Sequence, residues 1–449
     1  MEEKYFLCSY VREERGWCIV STPRGGIYSY NNVALEIFRI LSKTPCTLSD
    51  MVSLFGLSKE SDICKLKTFL ESLIRDEVID IYDGNKLEGK FWKIEGDGGN
   101  EQFLNRPLSA IVNITNKCNQ KCEFCYIDPQ YSNDLNHELS FDELLDICEK
   151  LVKARVYTIN FLGGEPLARL DELLQLVEFV NERAPWCHCT FATNGTYNGG
   201  ISAKQAKLLS KCKNLSIRVS VNGYGKAHDI ISGVDCAYDM AIESIKNLIK
   251  YAPNIEISVS TVMTKLLSDN YELFIREIFS LGINVIEFSP LQYSGRAISE
   301  YDQLKLDKSM DRSLMERFNE IRSFWLKKGK VVFYGGRYNS KMPMISLKNK
   351  YISCGISTTL IVDVNGDAYF CHMSVGNKSF CPGNILESSV AELWNSKTHL
   401  MLIERQQNIM DKECFSCPSY AKCQGGCLME RILGKKEYMG KDPTCPYNE

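Results

Sequence analysis

The last hundred residues of this 449-residue chain hold eight of its twenty cysteines, in a stretch dominated by loops. Such a stretch has too little apolar core to fold well alone, so it needs staples, either disulfides or bound metal. The N-terminus points to metal. Met1-Glu2-Glu3-Lys4 is charged and lacks the apolar core of a signal peptide, and no run is long enough to span a bilayer. A cytoplasmic protein with no membrane partner is expected, with reduced thiols available as metal or cluster ligands. A formal charge of −3 without a long basic run argues against nucleic acid as a partner. With 44% apolar and 24% charged residues, the rest of the chain has ordinary material for a soluble core.

The length accommodates two to four domains. Residues 1–95 read as a small α+β unit. Lys4–Val11, Trp17–Thr22 and Ile27–Tyr30 carry strand patterns. Asn31 or Asn32 caps a helix through Leu41, and helices follow over Leu48–Phe55 and Asp62–Asp76 before a strand over Val78–Tyr82. This order is winged-helix-like. Asp83–Asn100, with five glycines and much charge, reads as a linker. Residues 105–310 alternate strands and amphipathic helices. The strands are expected at Ala110–Thr115, Thr158–Leu162, His188–Thr193, Ser216–Asn222, Glu256–Met263 and Val285–Leu291. Six βα units predict an α/β fold with a parallel sheet, a partial (β/α)6 TIM-type barrel, and ligands at the C-terminal strand ends. Residues 311–350 read as a connector and 351–449 as a cysteine-rich, cluster-binding domain.

Cys118-x3-Cys122-x2-Cys125 follows directly on the first barrel strand. Three thiolates on one loop can hold three irons of a [4Fe–4S] cube and leave the fourth free. A zinc site would want a fourth ligand, and no further Cys or His lies nearby. The segment Cys118-Asn119-Gln120-Lys121-Cys122-Glu123-Phe124-Cys125 resembles the signature of the radical S-adenosylmethionine (SAM) enzymes, including the aromatic before the third cysteine. Further marks occur at successive strand ends: Gly163-Gly164-Glu165-Pro166, Thr193-Asn194-Gly195, Ser220-Val221-Asn222-Gly223 with His228-Asp229 beyond it, and Gly295-Arg296-Ala297. Asn222 stands where relatives usually have Asp, which leaves an acid role there in doubt. The resemblance implies that the free iron chelates SAM and that Tyr126, Gly163, Gly164, Glu165, Asn194, Ser220 and Asn222 bind it. No catalytic acid or base is named.

Near the C-terminus, Cys354-x11-Gly366-x4-Cys371 precedes Cys414-x2-Cys417-x5-Cys423-x3-Cys427, and Cys445 follows after seventeen residues. Cys414 to Cys427 alone would also suit a zinc ribbon. All seven together resemble the SPASM domain. The resemblance implies an auxiliary [4Fe–4S] cluster I on Cys354, Cys371 and Cys427, and a cluster II on Cys414, Cys417, Cys423 and Cys445, making three clusters in all. Some relatives complete cluster I with a cysteine shortly before the first of the seven. Here no cysteine lies between Cys236 and Cys354. Cluster I then has an open iron, which a substrate cysteine thiolate could fill, unless Cys381 closes it.

Thr47–Glu60, which includes the second helix, carries one Lys against one Asp and one Glu, too little positive charge for a DNA recognition helix. The N-terminal unit resembles the leader-peptide recognition element of peptide-modifying enzymes, with the strand near Gly26–Tyr30 as the edge where a leader adds. A stabilising cap is the plainer reading. The three parts in this order resemble the sactipeptide and ranthipeptide maturases. They imply thioether formation in a ribosomally made precursor peptide, its leader on residues 1–95 and its Cys-containing core in the barrel. A flavodoxin or ferredoxin would supply electrons. The alternatives are a carbon–carbon crosslink, tyrosine modification, formylglycine formation, or a DNA-binding redox sensor. In formylglycine-forming relatives an Asp follows the second SPASM cysteine, whereas His372 stands there in this chain.

Overall fold

Asn31 settles where the first helix begins. Its Oδ1 accepts from the Val33 and Ala34 amides at 3.1 and 3.3 Å, so the helix spans Asn32–Leu41. The computed structural model describes residues 2–14, 17–22, 27–84, 89–93, 104–126, 138–334, 345–347, 350–352, 354–407, 412–417, 420, 425–435, 442 and 445. They form two units, residues 1–105 with 342–353, and residues 106–341 with 354–449.

In the N-terminal unit, β1 (Lys4–Leu7), β2 (Tyr10–Glu13), β3 (Trp17–Ser21), β4 (Ile27–Asn31), β5 (Cys46–Thr47), β6 (Ile79–Ile81) and β7 (Lys90–Lys93) make two sheets, ordered β5-β1-β6 and β4-β3-β2-β7. The expected single strand over Lys4–Val11 is thus two strands in different sheets. The chain turns at Cys8 and Ser9, which bond to the 77–78 backbone. Cys8 N and Ser9 Oγ both donate to Val78 O, at 3.3 and 2.9 Å. The expected linker supplies a strand as well. β7 pairs in parallel with β2, and Trp92 stacks on Tyr10 with centroids 5.9 Å apart. Gly89 makes the approach possible, because a Cβ there would lie 2.2 Å from Leu7 O. Helices Leu48–Leu54 and Glu60–Arg75 close the unit over Leu7, Val11, Val20, Phe38 and Leu70. Strand β4 lies at a sheet edge, as expected.

In the second unit, β8 (Ser109–Thr115), β9 (Thr158–Gly163), β10 (His188–Thr193), β11 (Leu215–Ser220), β12 (Glu256–Met263) and β13 (Val285–Pro290) are the six expected strands, all in parallel register. Residues 311–350, expected as a connector, are more structured than that. A helix spans Lys308–Leu326, and β14 (Val331–Tyr334) adds a seventh parallel strand beside β13. The hairpin β15 (Ile345–Leu347) and β16 (Lys350–Ile352) groups with the N-terminal unit.

β17 (Thr359–Val362) pairs in parallel with β8 at the other edge of the barrel sheet, and β18 (Ala368–Tyr369) pairs antiparallel beyond it. The cysteine-rich segment therefore continues the barrel sheet. Leu360 and Val362 are buried, and Lys150 Nζ donates to Ile385 O (2.7 Å), joining a barrel helix to that segment. Across the barrel strands, residues such as Phe161, Phe191, Val219, Val259 and Phe288 are buried on one face. The other face is polar and half-open: His188 Nε2 lies 3.0 Å from Ser216 Oγ, and Arg218 pairs with Glu287 at 3.4 Å. A barrel filled with layers of branched apolar side chains would be solid; this face leaves room for polar ligands. No described helix is long and apolar enough to cross a membrane.

Among its described residues, the N-terminal unit holds a buried ion pair. Arg12 and Glu14 meet at 2.8 Å with side chains 0% and 1% exposed, and the other Glu14 oxygen accepts from the Asn105 amide at 2.9 Å. Removing one partner strands the other charge in the core. Arg12→Met is expected to lower stability by about 3–5 kcal/mol, read by denaturant unfolding, with the double variant Arg12→Met/Glu14→Leu recovering most of the loss.

Candidate active site

Cys118, Cys122 and Cys125 lie on an irregular loop after β8, and neighbouring strand ends hold its backbone. Arg296 donates from its backbone N–H to Cys125 O (2.9 Å) and from Nε to Cys122 O (2.8 Å). The 226–232 helix accepts from the loop, with Lys121 N bonded to Ser232 O (3.0 Å) and Glu123 N to Ile231 O (3.1 Å). Asn119 and Gln120 donate to Thr196 Oγ1 at 3.0 and 3.1 Å. Asn194 Nδ2 donates to Asn119 Oδ1 (2.9 Å) and reaches Cys118 Sγ at 3.8 Å. Gly295, with φ +55°, must be glycine, since a Cβ there would lie 2.3 Å from Cys125 O.

The strand-end residues expected to bind SAM gather around this loop and hold one another. Gly164 N donates to Thr115 O and Glu165 N to Lys117 O, both at 2.7 Å. The Glu165 carboxylate, 1% exposed, accepts from Leu167 N (3.0 Å), Thr193 Oγ1 (2.6 Å) and Asn194 N (2.7 Å). It clamps the second strand end to the third. Burial lifts its pKa to about 7 against the pull of those three donors. Asn222 Oδ1 accepts from Val262 N (2.9 Å), tying β11 to β12, and Asn222 N donates to His228 Nδ1 (2.9 Å). Ser220 Oγ lies 3.5 Å from Ser260 Oγ. Tyr126 packs its ring edge-on to His372, with centroids 5.1 Å apart. Three expected ligand contacts, Glu165, Asn194 and Asn222, thus have their side chains engaged within the protein, where they shape the cradle.

Burial comes first, then the nearby Cys125 and Cys118, in raising the Cys122 thiol to about 12. The three thiols are thus electrostatic neighbours on a loop where Cys118 is exposed and Cys122 and Cys125 are half-buried. Among the described residues no three His, Cys, Asp or Glu side chains converge to seat a single metal ion. A [4Fe–4S] cube asks for a looser set, one thiolate at each of three corners, and this loop fits it. Loading must expel protons, because the fold favours the neutral thiols.

The cysteine-rich segment repeats the pattern. Burial, then Cys427 and Cys354, push the Cys371 thiol well up, so these three are neighbours. The electrostatic neighbours of Cys381 are Asp367 and Lys378, and its Sγ donates to Gly383 O at 3.3 Å. In this arrangement the Cys381 thiol faces its own turn at Gly383. Cys414 and Cys417 share a turn, with Cys417 N bonded to Cys414 O (3.1 Å). Cys423 lies outside the described residues. Asp442, which the sequence reading missed, accepts from Cys427 N (2.7 Å) and, through its carbonyl, from Cys445 N (3.1 Å), so it joins the two expected ligand sets. Gln292, Glu430 and Glu138 were also missed. Glu430, 1% exposed, accepts from Tyr293 N (3.1 Å), and Glu138 accepts from Asn116 N (2.8 Å) just ahead of the first loop. A signal existed for Glu430, which sits three residues after Cys427 and so on the same helix face.

Residues 112–280 match the model of the radical SAM superfamily, and residues 354–418 match that of the SPASM iron–sulfur cluster-binding domain. This chain belongs to the radical SAM/SPASM family. It is 25% identical over 351 residues to "Mycofactocin maturase MftC" of Mycolicibacterium smegmatis, covering 77% of this chain and 84% of the relative. In fold it resembles Streptococcus suis SuiB bound to precursor peptide SuiA, with a TM-score of 0.70 at 16% identity over 98% and 99% of the two chains. It also resembles anSMEcpe bound to AdoMet and the Cp18Cys peptide, with a TM-score of 0.61 at 20% identity over 75% and 93%. The radical SAM/SPASM chain carries iron–sulfur clusters and uses SAM.

Gly295→Ala is expected to halve, or worse, the iron bound by the Cys118–Cys125 loop, measured by iron and sulfide analysis in a variant whose SPASM cysteines are replaced by alanine. His228, 1% exposed, has its pKa lowered to about 4, burial being the main cause. Its neutral form favours the fold above the unfolded pKa of about 6.5, and that contribution is lost as pH falls through about 4. The shift is worth on the order of 3 kcal/mol. Denaturant unfolding from pH 7 down to 4.5 is expected to show a steeper loss of stability in the wild type than in His228→Asn, which keeps an acceptor for the Asn222 amide.

Proposed function

We propose that this radical SAM/SPASM enzyme is a peptide maturase that forms intramolecular thioethers, cysteine sulfur to carbon, in a ribosomally synthesised precursor. What supports this reading is that Cys354 and Cys427 act electrostatically on Cys371, while the Cys381 thiol donates to Gly383 O at 3.3 Å. Three protein thiolates on auxiliary cluster I would leave one corner that a substrate cysteine thiolate could fill. The fold likeness to SuiB with its precursor peptide and to anSMEcpe with a Cys-containing peptide supports a peptide substrate. So does the relation to a mycofactocin maturase.

Cys118, Cys122 and Cys125 would hold the cluster that binds SAM. Bound there, cluster and SAM together supply a 5′-deoxyadenosyl radical through one-electron cleavage of the sulfonium. Gly163, Gly164 and Ser220 would line the SAM pocket, with Glu165, Asn194 and Asn222 bracing it. Tyr126 would flank it. The polar barrel face would orient the core peptide. Hydrogen loss from the acceptor carbon and proton loss from the thiol, with one electron leaving, give the sulfur–carbon bond and a net loss of two hydrogens. Cys414, Cys417, Cys423 and Cys445 would hold the third cluster. We assign leader capture to residues 1–95, along edge strand β4, electron supply to a flavodoxin or ferredoxin, and the site of action to the cytoplasm.

Co-expression with a Cys-containing precursor is expected to yield a peptide lighter by two hydrogens per link, with thiol alkylation blocked at the linked cysteines. Enzyme lacking residues 1–95 should lose this product while still releasing 5′-deoxyadenosine from SAM under dithionite. A modified peptide whose cysteines remain alkylatable would rule out thioether formation.

A further inference from the structure

The residue directly after Cys125 is Tyr126, and the residue directly after Cys371 is His372. Their rings meet at a centroid distance of 5.1 Å and an angle of 71°, edge to face. A single loop beyond β13 secures both partners. Gln292 Oε1 lies 2.6 Å from His372 Nε2, and four residues later Arg296 binds the carbonyls of Cys122 and Cys125. Between them, Tyr293 N donates to Glu430, one turn beyond Cys427. One short loop thus touches the surroundings of both ligand sets. The only ring contact among the described residues that joins the two sets is Tyr126 with His372.

We propose that Tyr126 and His372, held in place by Gln292, form the electron-transfer bridge between the SAM-binding cluster and auxiliary cluster I. The proposal rests on the reading that Cys354, Cys371 and Cys427 hold a cluster. A path from each cluster runs through one cysteine and one peptide unit to an aromatic ring, and the remaining gap is a ring-to-ring contact. Covalent bonds and packed π systems carry electronic coupling far better than a water-filled gap. No bond forms or breaks at either ring. One electron leaves the reduced cluster and the other cluster gains it. Thioether formation gives up one electron per link, and SAM cleavage consumes one, so such a bridge would return the electron to the site that spends it. The edge-to-face geometry suits a permanent contact, because the ring edge and face attract, and Gln292 fixes the imidazole orientation by bonding the far nitrogen.

The test uses the full chain loaded with iron and sulfide, in the presence of SAM, which marks the first cluster by altering its EPR signal. Less than one electron per protein is delivered by a light flash from a photoreductant, and rapid freeze-quench EPR follows redistribution between the two signals. Tyr126→Leu and Gln292→Leu are expected to slow redistribution at least tenfold, with the final distribution and iron content unchanged. Tyr126→Phe, which keeps the ring, should retain the wild-type rate. An unchanged final distribution separates a path effect from a structural one, since disturbed ligation would move the potentials. Wild-type rates in both leucine variants, with both signals present, would overturn the bridge. Should Tyr126→Leu fail to load, Gln292→Leu decides alone. If the wild type shows no signal that Cys371→Ser removes, the cluster I reading fails, and the bridge with it.

Discussion

Parallel pairing in register is the constraint on which the site depends. Each strand from β8 to β13 ends beside its neighbour, so the loops that follow lie at one edge of the sheet. The cysteine loop after β8 has no regular structure of its own. Its carbonyls and amides are bound by Arg296 from beyond β13 and by the helix after β11, and its Asn119 and Gln120 side chains by Thr196 from beyond β10. Three sulfurs could not be held ready for a cube by a free loop, whose ordering entropy would oppose binding. The sheet has already met that cost.

The cradle works mainly through groups that face inward. Glu165 is a buried carboxylate with three donors, Asn194 donates its side-chain amide to Asn119 on the cysteine loop, and Asn222 accepts from the Val262 backbone of β12. Polar residues at strand ends are easily read as ligand contacts. Here burial and full hydrogen bonding make several of them braces, and unmaking a buried hydrogen bond costs more than the bond itself contributes. The ligand-facing surface is left to backbone, sulfur and the half-open polar face of the sheet.

The cysteine-rich segment is tied to the barrel in the same terms. β17 extends the sheet beside β8, Gln292 meets His372, and Tyr293 meets Glu430. A segment with little apolar core gains stability from a shared sheet edge and from buried polar contacts. This explains how three thiols around Cys371 come to be gathered in a region whose own elements are short. It also gives the two ligand sets one mechanical frame.

Much of this was legible in the sequence. Strands with clear β-branched and apolar patterns, such as His188–Thr193 and Glu256–Met263, appear with the expected bounds. The cysteine sets, by contrast, were assigned by resemblance to known families, because Cys354, Cys371 and Cys427 lie far apart along the chain. What the sequence concealed was set by partners distant along the chain. Gly89 and Trp92 look like linker until β2 is beside them, and the break at Cys8 follows from the carbonyl of Val78. β14 and β17 are short strands that sheet pairing decides. Cys381 is a cysteine like its neighbours until Gly383 O claims its thiol. Residue type and spacing are inherited from the chain itself, whereas hydrogen-bond partners hundreds of residues away exist only once the sheet has closed around them.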